Sequence, residues 1–477
     1  MYNKHVTYVP CIIMAEPRKS PRTWSWRWII PFVAYICLPA RRPTSVLLSA
    51  SPTEVRLLAA LPTQSCAGVQ VVLRHAGIAL PAVTAETVGS PLESSGLHAL
   101  ARITGLQAAT EYGYEVRCQG DAVASGSIRT PPAPGRALVR FGFGSCILPT
   151  ALVPLVPFDG SEALGRLDFF LSLGDTIYGD LYSSLPSAYD ALWRAASFRT
   201  FAARTPLLSA FDDHETGYND PEDAAGEPGF ERGMSYWWLR LGSANPGRGA
   251  ASLAAAPSGT RARRWFSFRS GGVDLFVADT VTHRASHPAG RWSPLGREQA
   301  LELRRWLGRP APLKVVATSI PFAMGSGLPL SSRLLPWQQN HSNYYRESAL
   351  HAWLLGALRS RRRRNVLLLS GDVHGARAYS LAGGRAHEVM CAPLHNLATE
   401  TVATDEVFPR AERTSKIWED GAGWQHVGTA EVDTRVRGNA SLTVSVWRYG
   451  IFWPRTPQLA YRLRLRLPDV SYRGPEL

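Results

Sequence analysis

The sequence predicts a small β-sandwich followed by an α/β domain. Residues 44–130 contain short alternating strands with regular turn signals between them, a pattern typical of an antiparallel sandwich. From residue 138 onward, apolar strand runs alternate with helical patterns, which are predicted at about residues 187–201, 296–307 and 347–358 and indicate an α/β domain. Several of these apolar runs stop at polar side chains, and open α/β sheets bind their ligands at such strand ends. The 477 residues exceed what one hydrophobic core usually serves, so two domains are expected.

The first segment, residues 1–43, has the charge order of a signal peptide or membrane anchor. Four basic residues between positions 18 and 27 precede an apolar stretch, residues 28–38, that Pro31 interrupts. The stretch is short for a membrane span, and no Arg-Arg pair precedes it. We expect export to the periplasm, the cell surface or the medium, and the segment could associate with a membrane. A misassigned start codon and a cytoplasmic protein are the alternative.

The second segment, residues 44–133, is predicted to be the β-sandwich domain. Its clearest strand patterns are residues 54–59, 69–74 and 111–117. The stretch at 100–106, followed by Tyr112, resembles the strand–turn–tyrosine corner of fibronectin type III-like modules. Proline-rich residues 131–134 then read as a linker, so the α/β domain is assigned to residues 136–477.

The six cysteines have neither a C-x-x-C pair nor zinc-finger spacing. Cys66 and Cys118 lie in the β region and could form a disulfide if the protein is exported, with free buried thiols as the alternative. The net charge of +14 is spread along the chain, which favours a solvated basic surface. We therefore expect no nucleic-acid partner.

Four strand ends carry the polar side chains of the candidate site. The first two are Cys146, after residues 141–145, and Asp175, after residues 168–174. The other two follow residues 207–211 and 367–370 and supply the remaining groups, which are Asp212, Asp213, His214, Glu215, Asp372 and His374. Carboxylates that face one pocket repel one another, so cations or protons must be present for them to coexist.

Carboxylate, imidazole, thiolate and phenolate side chains together suit transition metals and mixed-metal sites. A bound metal lowers the pKa of water from about 15.7 to about 7, and two metals about 3.5–4 Å apart can clamp the attacking and leaving oxygens. Phosphate-ester hydrolysis most needs such help, because it is among the slowest uncatalysed reactions. We expect hydrolysis of phosphate esters by a metal-activated hydroxide.

These motifs are similar to those of the PhoD-like alkaline phosphatase family, within the calcineurin-like metallophosphoesterase superfamily. The matching motifs are Ser145-Cys146, Gly174-Asp175-Thr176-Ile177-Tyr178, Asp212-Asp213-His214-Glu215 with Asn219, and Gly371-Asp372-Val373-His374. The resemblance extends from about residue 44 to the C-terminus. It implies a four-layer α/β/β/α sandwich with metals over the strand ends, and a phosphatase or phosphodiesterase activity on a phosphate-ester substrate.

The resemblance also implies roles for individual residues. The implied metal ligands are Cys146, Asp175, Tyr178, Asn219, Asp372 and His374. Tyr178 matches the Gly-Asp-x-x-Tyr arrangement that holds ferric iron, which implies Fe³⁺ together with Ca²⁺; Zn²⁺ or Mn²⁺ are the alternative metals. His214 is placed to protonate a leaving oxygen, and Asp213 to orient it or bind metal. Arg284 would contact phosphate.

Two positions depart from the family pattern. Trp193 stands where family members often carry a tyrosine, and Asp220 follows Asn219 where a second asparagine is common. The alternative function is a non-catalytic surface protein, in which a degenerate phosphoesterase domain binds a partner. The sequence leaves open the metal identity, the oligomeric state and the choice among monoester, diester, phospholipid and polymer substrates.

Overall fold

A computed structural model describes the chain over residues 44–62, 66, 68–89, 96–149, 164–217, 229–246, 253–254, 263–283, 294–323, 349–359, 365–396, 415–420, 424–450 and 456–467. The predicted leader, residues 1–43, lies outside these residues. Among the helices within them, none is both long and apolar enough to cross a membrane.

The N-terminal part consists of two antiparallel sheets. Its strands are β1 (Ser45–Ser51), β2 (Glu54–Leu61), β3 (Val69–His75), β4 (Ile78–Ala79), β5 (Val83–Thr84), β6 (Glu86–Gly89), β7 (Leu97–Thr104), β8 (Glu111–Cys118) and β9 (Asp121–Arg129). One sheet has the order β1-β2-β7-β6, and the other has the order β4-β3-β8-β9 with β5 also paired to β3. Side chains from both sheets, such as Val55 and Val71, share one hydrophobic cluster.

Two predicted features of this part are present. The hydroxyl of Tyr112 accepts a hydrogen bond from the backbone N–H of Gln107 at 2.9 Å, which is the contact expected of a tyrosine corner. Cys66 and Cys118 are joined in a disulfide, with their Cα atoms 5.5 Å apart. The structure therefore selects the bridged alternative over two free thiols.

The described residues that follow β9 form a mixed α/β arrangement. Its strands are β10 (Leu138–Gly144), β11 (Phe169–Ser172), β12 (Leu207–Ser209), β13 (Phe266–Ser270), β14 (Val273–Val277), β15 (Leu313–Ala317), β16 (Val366–Ser370), β17 (Ala376–Leu381), β18 (Ala386–Cys391), β19 (Ser415–Glu419), β20 (Gln425–Asp433), β21 (Ser441–Tyr449) and β22 (Gln458–Arg466). Its α-helices are α1 (Leu185–Arg194), α2 (Ala196–Ala202), α3 (Phe230–Arg240), α4 (Gly296–Gly308) and α5 (Ala349–Arg359).

Two larger sheets organise this arrangement. A six-stranded sheet has the order β12-β11-β10-β20-β21-β22, and a seven-stranded sheet has the order β13-β14-β15-β16-β18-β17-β19. The neighbours β10, β11 and β12 run parallel, as do β14, β15, β16 and β18. Parallel strands buried on both faces read as continuous apolar runs, which explains why these strands were visible in the sequence.

The hydrophobic core joins the two larger sheets. Phe141 and Phe169 of the six-stranded sheet belong to the same buried cluster as Leu275 and Val315 of the seven-stranded sheet. The rings of Phe169 and Phe268 meet edge to face with their centroids 5.2 Å apart. This packing brings the carboxyl ends of strands from both sheets to one region.

The predicted helix at 187–201 is two helices. Helix α1 ends at Arg194 and α2 begins at Ala196, because Ala195 between them has an extended backbone with ψ of 114°. The amide of Ala195 still bonds back to the carbonyl oxygens of Ala191 and Leu192, so α1 is closed there. The other predicted helices match α4 and α5 within about two residues.

The N-terminal sheets pack directly on the α/β part. Leu47, Leu58 and Leu100 belong to the same buried cluster as Trp193 and Phe198 of the helical region. The hydroxyl of Ser45 donates to the carbonyl oxygen of Trp193 at 3.2 Å, in a buried contact. Trp193, the residue that departs from the family pattern, therefore lies in this interface.

Candidate metal centre

The candidate centre is built from residues that directly follow four strands. Cys146 lies two residues after β10, and Asp175 three residues after β11. Asp212, Asp213 and His214 follow β12, and Asp372 and His374 follow β16. The first three strands belong to the six-stranded sheet and β16 to the seven-stranded sheet. The centre therefore exists only where the two sheets meet.

The backbone at three of these strand ends adopts a conformation unusual for residues with side chains. Cys146, Asp175 and Asp372 have positive φ values of 64°, 50° and 63°. Such conformations cost of order 1–3 kcal/mol each and occur preferentially at functional sites. Glycine precedes two of them, and a Cβ added at Gly174 would lie only 2.7 Å from Cβ of Asp212. The tight turns therefore need glycine at that position.

Acidic side chains converge at these turns. Carboxylate oxygens of Asp175, Asp212 and Asp372 all lie within 4.8 Å of one another, and all three residues are buried. A second group with the same spacing joins Asp175 to Asp213 and His214. Asp175 is common to both groups, so its carboxylate would serve a metal ion held by either group.

Cys146, Tyr178 and His374 extend this cluster around Asp175. The thiol of Cys146 and the hydroxyl of Tyr178 approach Oδ2 of Asp175 at 3.5 and 3.4 Å. The same hydroxyl lies 2.9 Å from Nε2 of His374. Of the six predicted ligands, the structure thus brings five together: Cys146, Asp175, Tyr178, Asp372 and His374.

The electrostatics of the cluster favour a cation. Burial raises the pKa of the Asp175 carboxyl well above its usual range, and negative charge on Cys146 and Asp212 raises it further. Burial also raises the pKa of the Cys146 thiol to about 12, against a smaller opposing effect of the hydrogen bond with Ser145. Bound metal ions would reverse both trends, since they stabilise carboxylate and thiolate.

The residues present fit a metal centre. Oδ1 of Asp175 is buried and has no hydrogen-bond partner among the described residues, although buried acceptors are normally satisfied. The donor set of carboxylate oxygens, one thiol, one phenol and imidazole suits transition metals better than magnesium alone.

Glu215 connects the backbones of two turns that form the cluster. One of its carboxylate oxygens accepts the backbone N–H groups of Asp175 at 3.2 Å and Asp212 at 3.1 Å, and the other accepts that of Thr176 at 2.6 Å. Burial raises the pKa of Glu215 to about 7, while the hydrogen bonds from Thr176 act in the opposite direction. Glu215 therefore ties the turn after β11 to the turn after β12.

His214 lies at the edge of the cluster. Its Nδ1 is 2.5 Å from Oδ1 of Asp180, and its ring centroid is 4.1 Å from that of Tyr178. The carboxylate of Asp213 accepts the backbone N–H of His214 at 3.0 Å. Burial alone would lower the pKa of His214, but hydrogen bonding to Asp180 and the charge on Asp213 together raise this pKa above its usual range.

Two predicted site residues, Asn219 and Arg284, lie outside the described residues. Their assignments to metal and to phosphate stay predictions.

Three residues without an individually predicted role also belong to the centre. Asp212 joins the carboxylate group, and Asp180 contacts His214. Asn396 places its side-chain nitrogen 3.2 Å from Nε2 of His374. Asn396 follows β18, so it is a further polar residue beyond a strand end, and that signal was available in the sequence.

Three comparisons bear on this chain. Comparison with curated protein sequences finds no match. A solved structure titled "Structure of PhoD" superposes with a TM-score of 0.64 at 17% sequence identity, over 88% of this chain and 93% of that one. A β-glucuronidase of glycoside hydrolase family 2 aligns over 85% of this chain and 53% of its own, with 7% identity and a TM-score of only 0.22. A TM-score of 0.22 does not show a common fold, whereas the likeness to PhoD establishes the fold.

The family profile described as PhoD-like phosphatase matches residues 184–444, which is more than half of the chain. The matched stretch contains His214, Asp372 and His374, and it begins after Cys146 and Asp175. Together with the shared fold and the converging carboxylates, this match shows that the chain belongs to the PhoD-like phosphatase family.

Proposed function

We propose that the protein hydrolyses phosphate esters at a centre that holds two or more metal ions. One observation carries the proposal: Asp175, Asp212 and Asp372 meet in one buried group at the ends of strands from two sheets. Buried carboxylates in such a group require compensating positive charge. Membership of the PhoD-like family supports phosphoester chemistry at that place.

In this proposal Cys146, Asp175, Tyr178, Asn219, Asp372 and His374 hold the metals, with Asp212 as an additional ligand. Metal ions bound there would lower the pKa of water and neutralise the charge that develops on a phosphoryl group. Fe³⁺ with Ca²⁺ is the proposed pair, and Zn²⁺ or Mn²⁺ are the alternatives. The contacts of the Tyr178 hydroxyl with Asp175 and His374 support phenolate ligation.

His214 is the proposed acid that protonates the leaving oxygen. Its side chain is 11% exposed, so it can reach a substrate that enters from solvent. Asp213 holds the backbone of His214 and lies in the same acidic group as Asp175. Arg284 is proposed to bind phosphate.

Three further assignments concern the domains, the layer order and the location of the protein. Residues 44–133 and 136–477 are proposed as separate structural domains, with the two larger sheets and their helices in a four-layer α/β/β/α order. Residues 1–43 are proposed as an export leader or anchor, which places the enzyme outside the cytoplasm.

The first test measures metal content and the visible spectrum of purified protein, together with hydrolysis of 4-nitrophenyl phosphate and its diester. Asp175→Ala, Asp372→Ala and His374→Ala should each lower turnover by more than about 100-fold, since even residues that only support ligands cost 10- to 100-fold. Circular dichroism should show that the variants remain folded. Asp121→Ala, an exposed acidic position in the N-terminal sheets, is the matched control.

The outcomes separate the alternatives. Iron with a visible charge-transfer band would support Tyr178 ligation, whereas colourless zinc or manganese enzyme would retain the hydrolase and remove the tyrosinate. Folded protein without metal or turnover would favour the non-catalytic surface protein.

A further inference from the structure

A pocket lies where the first N-terminal sheet meets the helices of the α/β part. It measures about 350 Å³ with its open mouth included. Its polar lining consists of Ser45 and His98 from the sheet, Asp190, Trp193 and Arg194 from α1, and Arg240 from α3. None of the residues that line the pocket belongs to the metal centre, so the pocket is a separate feature of the molecule.

The sheet side of the pocket follows from the strand register. Ser45 of β1 is paired with Ala60 of β2, and Ala60 is paired with His98 of β7. Side chains that are directly opposite on neighbouring strands point to the same face of a sheet. Because the Ser45 hydroxyl donates to the carbonyl oxygen of Trp193, this face is the one turned towards the helices. His98, which is 2% exposed, therefore faces the pocket, and the small side chain of Ala60 leaves space beside it.

The helix side of the pocket carries more positive than negative charge. Asp190, Trp193 and Arg194 are spaced i, i+3 and i+4, so they share one face of α1. Oδ1 of Asp190 accepts a hydrogen bond from Nη2 of Arg240 at 3.3 Å, and Oδ2 lies 3.8 Å from Nη2 of Arg194. One carboxylate thus faces two guanidinium groups, which leaves an excess of one positive charge.

The lining also has more hydrogen-bond donors than acceptors. The indole Nε1–H of Trp193 is buried and has no acceptor among the described residues, and the same holds for Nε–H of Arg194. Buried donors are normally satisfied, and neither indole nor guanidinium can accept a hydrogen bond. A ligand that is negatively charged and rich in acceptor oxygens would meet both requirements of the pocket.

We propose that this pocket binds a small inorganic oxyanion of the phosphate or sulfate class. The ion would accept hydrogen bonds from Trp193 and Arg194 and balance the second guanidinium group, as oxyanions do in arginine-lined sites. It would also link the N-terminal sheet to the α/β part. Trp193 stands where members of the family often carry a tyrosine, so the indole donor is a feature of this chain. The inference does not depend on the proposed hydrolase activity.

The test is isothermal titration calorimetry of the full-length protein with sodium sulfate, at an ionic strength held constant with sodium chloride. We expect saturable binding of one ion per chain. Arg194→Gln and Trp193→Phe should each weaken this binding by at least about tenfold, because each variant removes one donor to the ion. Circular dichroism checks that both variants are folded, and Arg194→Gln changes the more exposed of the two side chains.

Two further variants serve as controls. Arg304→Gln makes the same change of charge at an exposed position of α4 and should bind sulfate like the wild type. Asp372→Ala alters the metal centre, where an oxyanion could also bind, and should retain the binding at the interface. A thermal denaturation series should agree, since sulfate should raise the Tm of the wild type and of both controls more than that of Arg194→Gln.

Three results would overturn the inference. The first is the absence of saturable sulfate binding in the wild type. The second is an equal loss of affinity in Arg194→Gln and Arg304→Gln, which would show that only the overall charge matters. The third is binding that is lost in Asp372→Ala and kept in Arg194→Gln, which would place the ion at the metal centre.

Discussion

At the scale of single residues, the centre depends on groups that do not themselves face a substrate. Glu215 is fully buried and accepts three backbone N–H groups from two different turns. Three strand-end residues, Cys146, Asp175 and Asp372, hold positive φ angles. Such strained turns persist only when the surrounding structure over-determines them. The Glu215 carboxylate is one of the contacts that does so.

Glu215→Gln is therefore expected to destabilise the protein by about 1–3 kcal/mol. The substitution keeps the size of the side chain but replaces one acceptor oxygen with an NH₂ group that would face backbone donors. Urea denaturation gives the free energy of unfolding. Glu298→Gln, at an exposed position of α4, is the control and should leave the denaturation midpoint unchanged. Equal midpoints for the two variants would contradict the supporting role of Glu215.

At the scale of elements, close packing restricts which side chains the turns after the strands can accept. Gly371 follows β16, and a Cβ at this position would overlap the side chain of Ser145 in the turn after β10. The Ser145 hydroxyl accepts the backbone N–H of Asp372 at 3.2 Å and lies 3.1 Å from the thiol of Cys146. The turns after β10 and β16 are thus fitted to each other.

Gly371→Ala should displace Ser145 and lower both stability and metal content. Overpacking of this kind typically costs about 1–3 kcal/mol. Gly356→Ala is the matched control, because Gly356 lies exposed within α5 and a Cβ there meets nothing within 4 Å. That variant should be stabilised by about 0.5–1 kcal/mol, the usual gain from replacing glycine within a helix. Thermal denaturation and metal analysis of both variants provide the check.

Much of the arrangement of strands and following turns could be predicted from the sequence. The strands that lead to Cys146, Asp175 and Asp372 are continuous apolar runs, and a run that is followed by a polar residue is visible without a structure. The break at Ala195 was missed, because neither proline nor glycine marks it. Asp180 was missed because its role depends on a contact with His214, which lies far from it in the chain. Asn396 was missed although it follows a strand, because nothing in the sequence pairs it with His374.

At the scale of the whole molecule, the N-terminal sheets and the α/β part share buried surface. One face of the first sheet contributes to its own core through residues such as Val46, and the other contributes Leu47, Leu58 and Leu100 to the cluster around Trp193. A sheet that is buried on both faces cannot lose its neighbour without exposing apolar surface.

Leu58→Ala should therefore lower the stability of the whole molecule by about 2–5 kcal/mol, as expected for truncation of a buried leucine. Ile78→Ala, at a position 70% exposed in the same part of the chain, should have an effect below about 0.5 kcal/mol. Calorimetry of both variants is the measurement. A separate low-temperature transition in Leu58→Ala, with the remainder unfolding as in the wild type, would show that the two parts are not coupled.

The pairing of β10 has a consequence for how the chain folds while it is being synthesised. β10 lies in the sheet between β11 and β20, and Phe141 pairs with Ala430. The strand that leads to Cys146 therefore keeps one open edge until residues 425–433 have left the ribosome. A nascent chain that ends before β20 exposes unpaired N–H and C=O groups in the middle of its future sheet, which is a template for aggregation. C-terminal truncations are thus expected to fail in folding during translation, even when every residue of the metal centre has already been made.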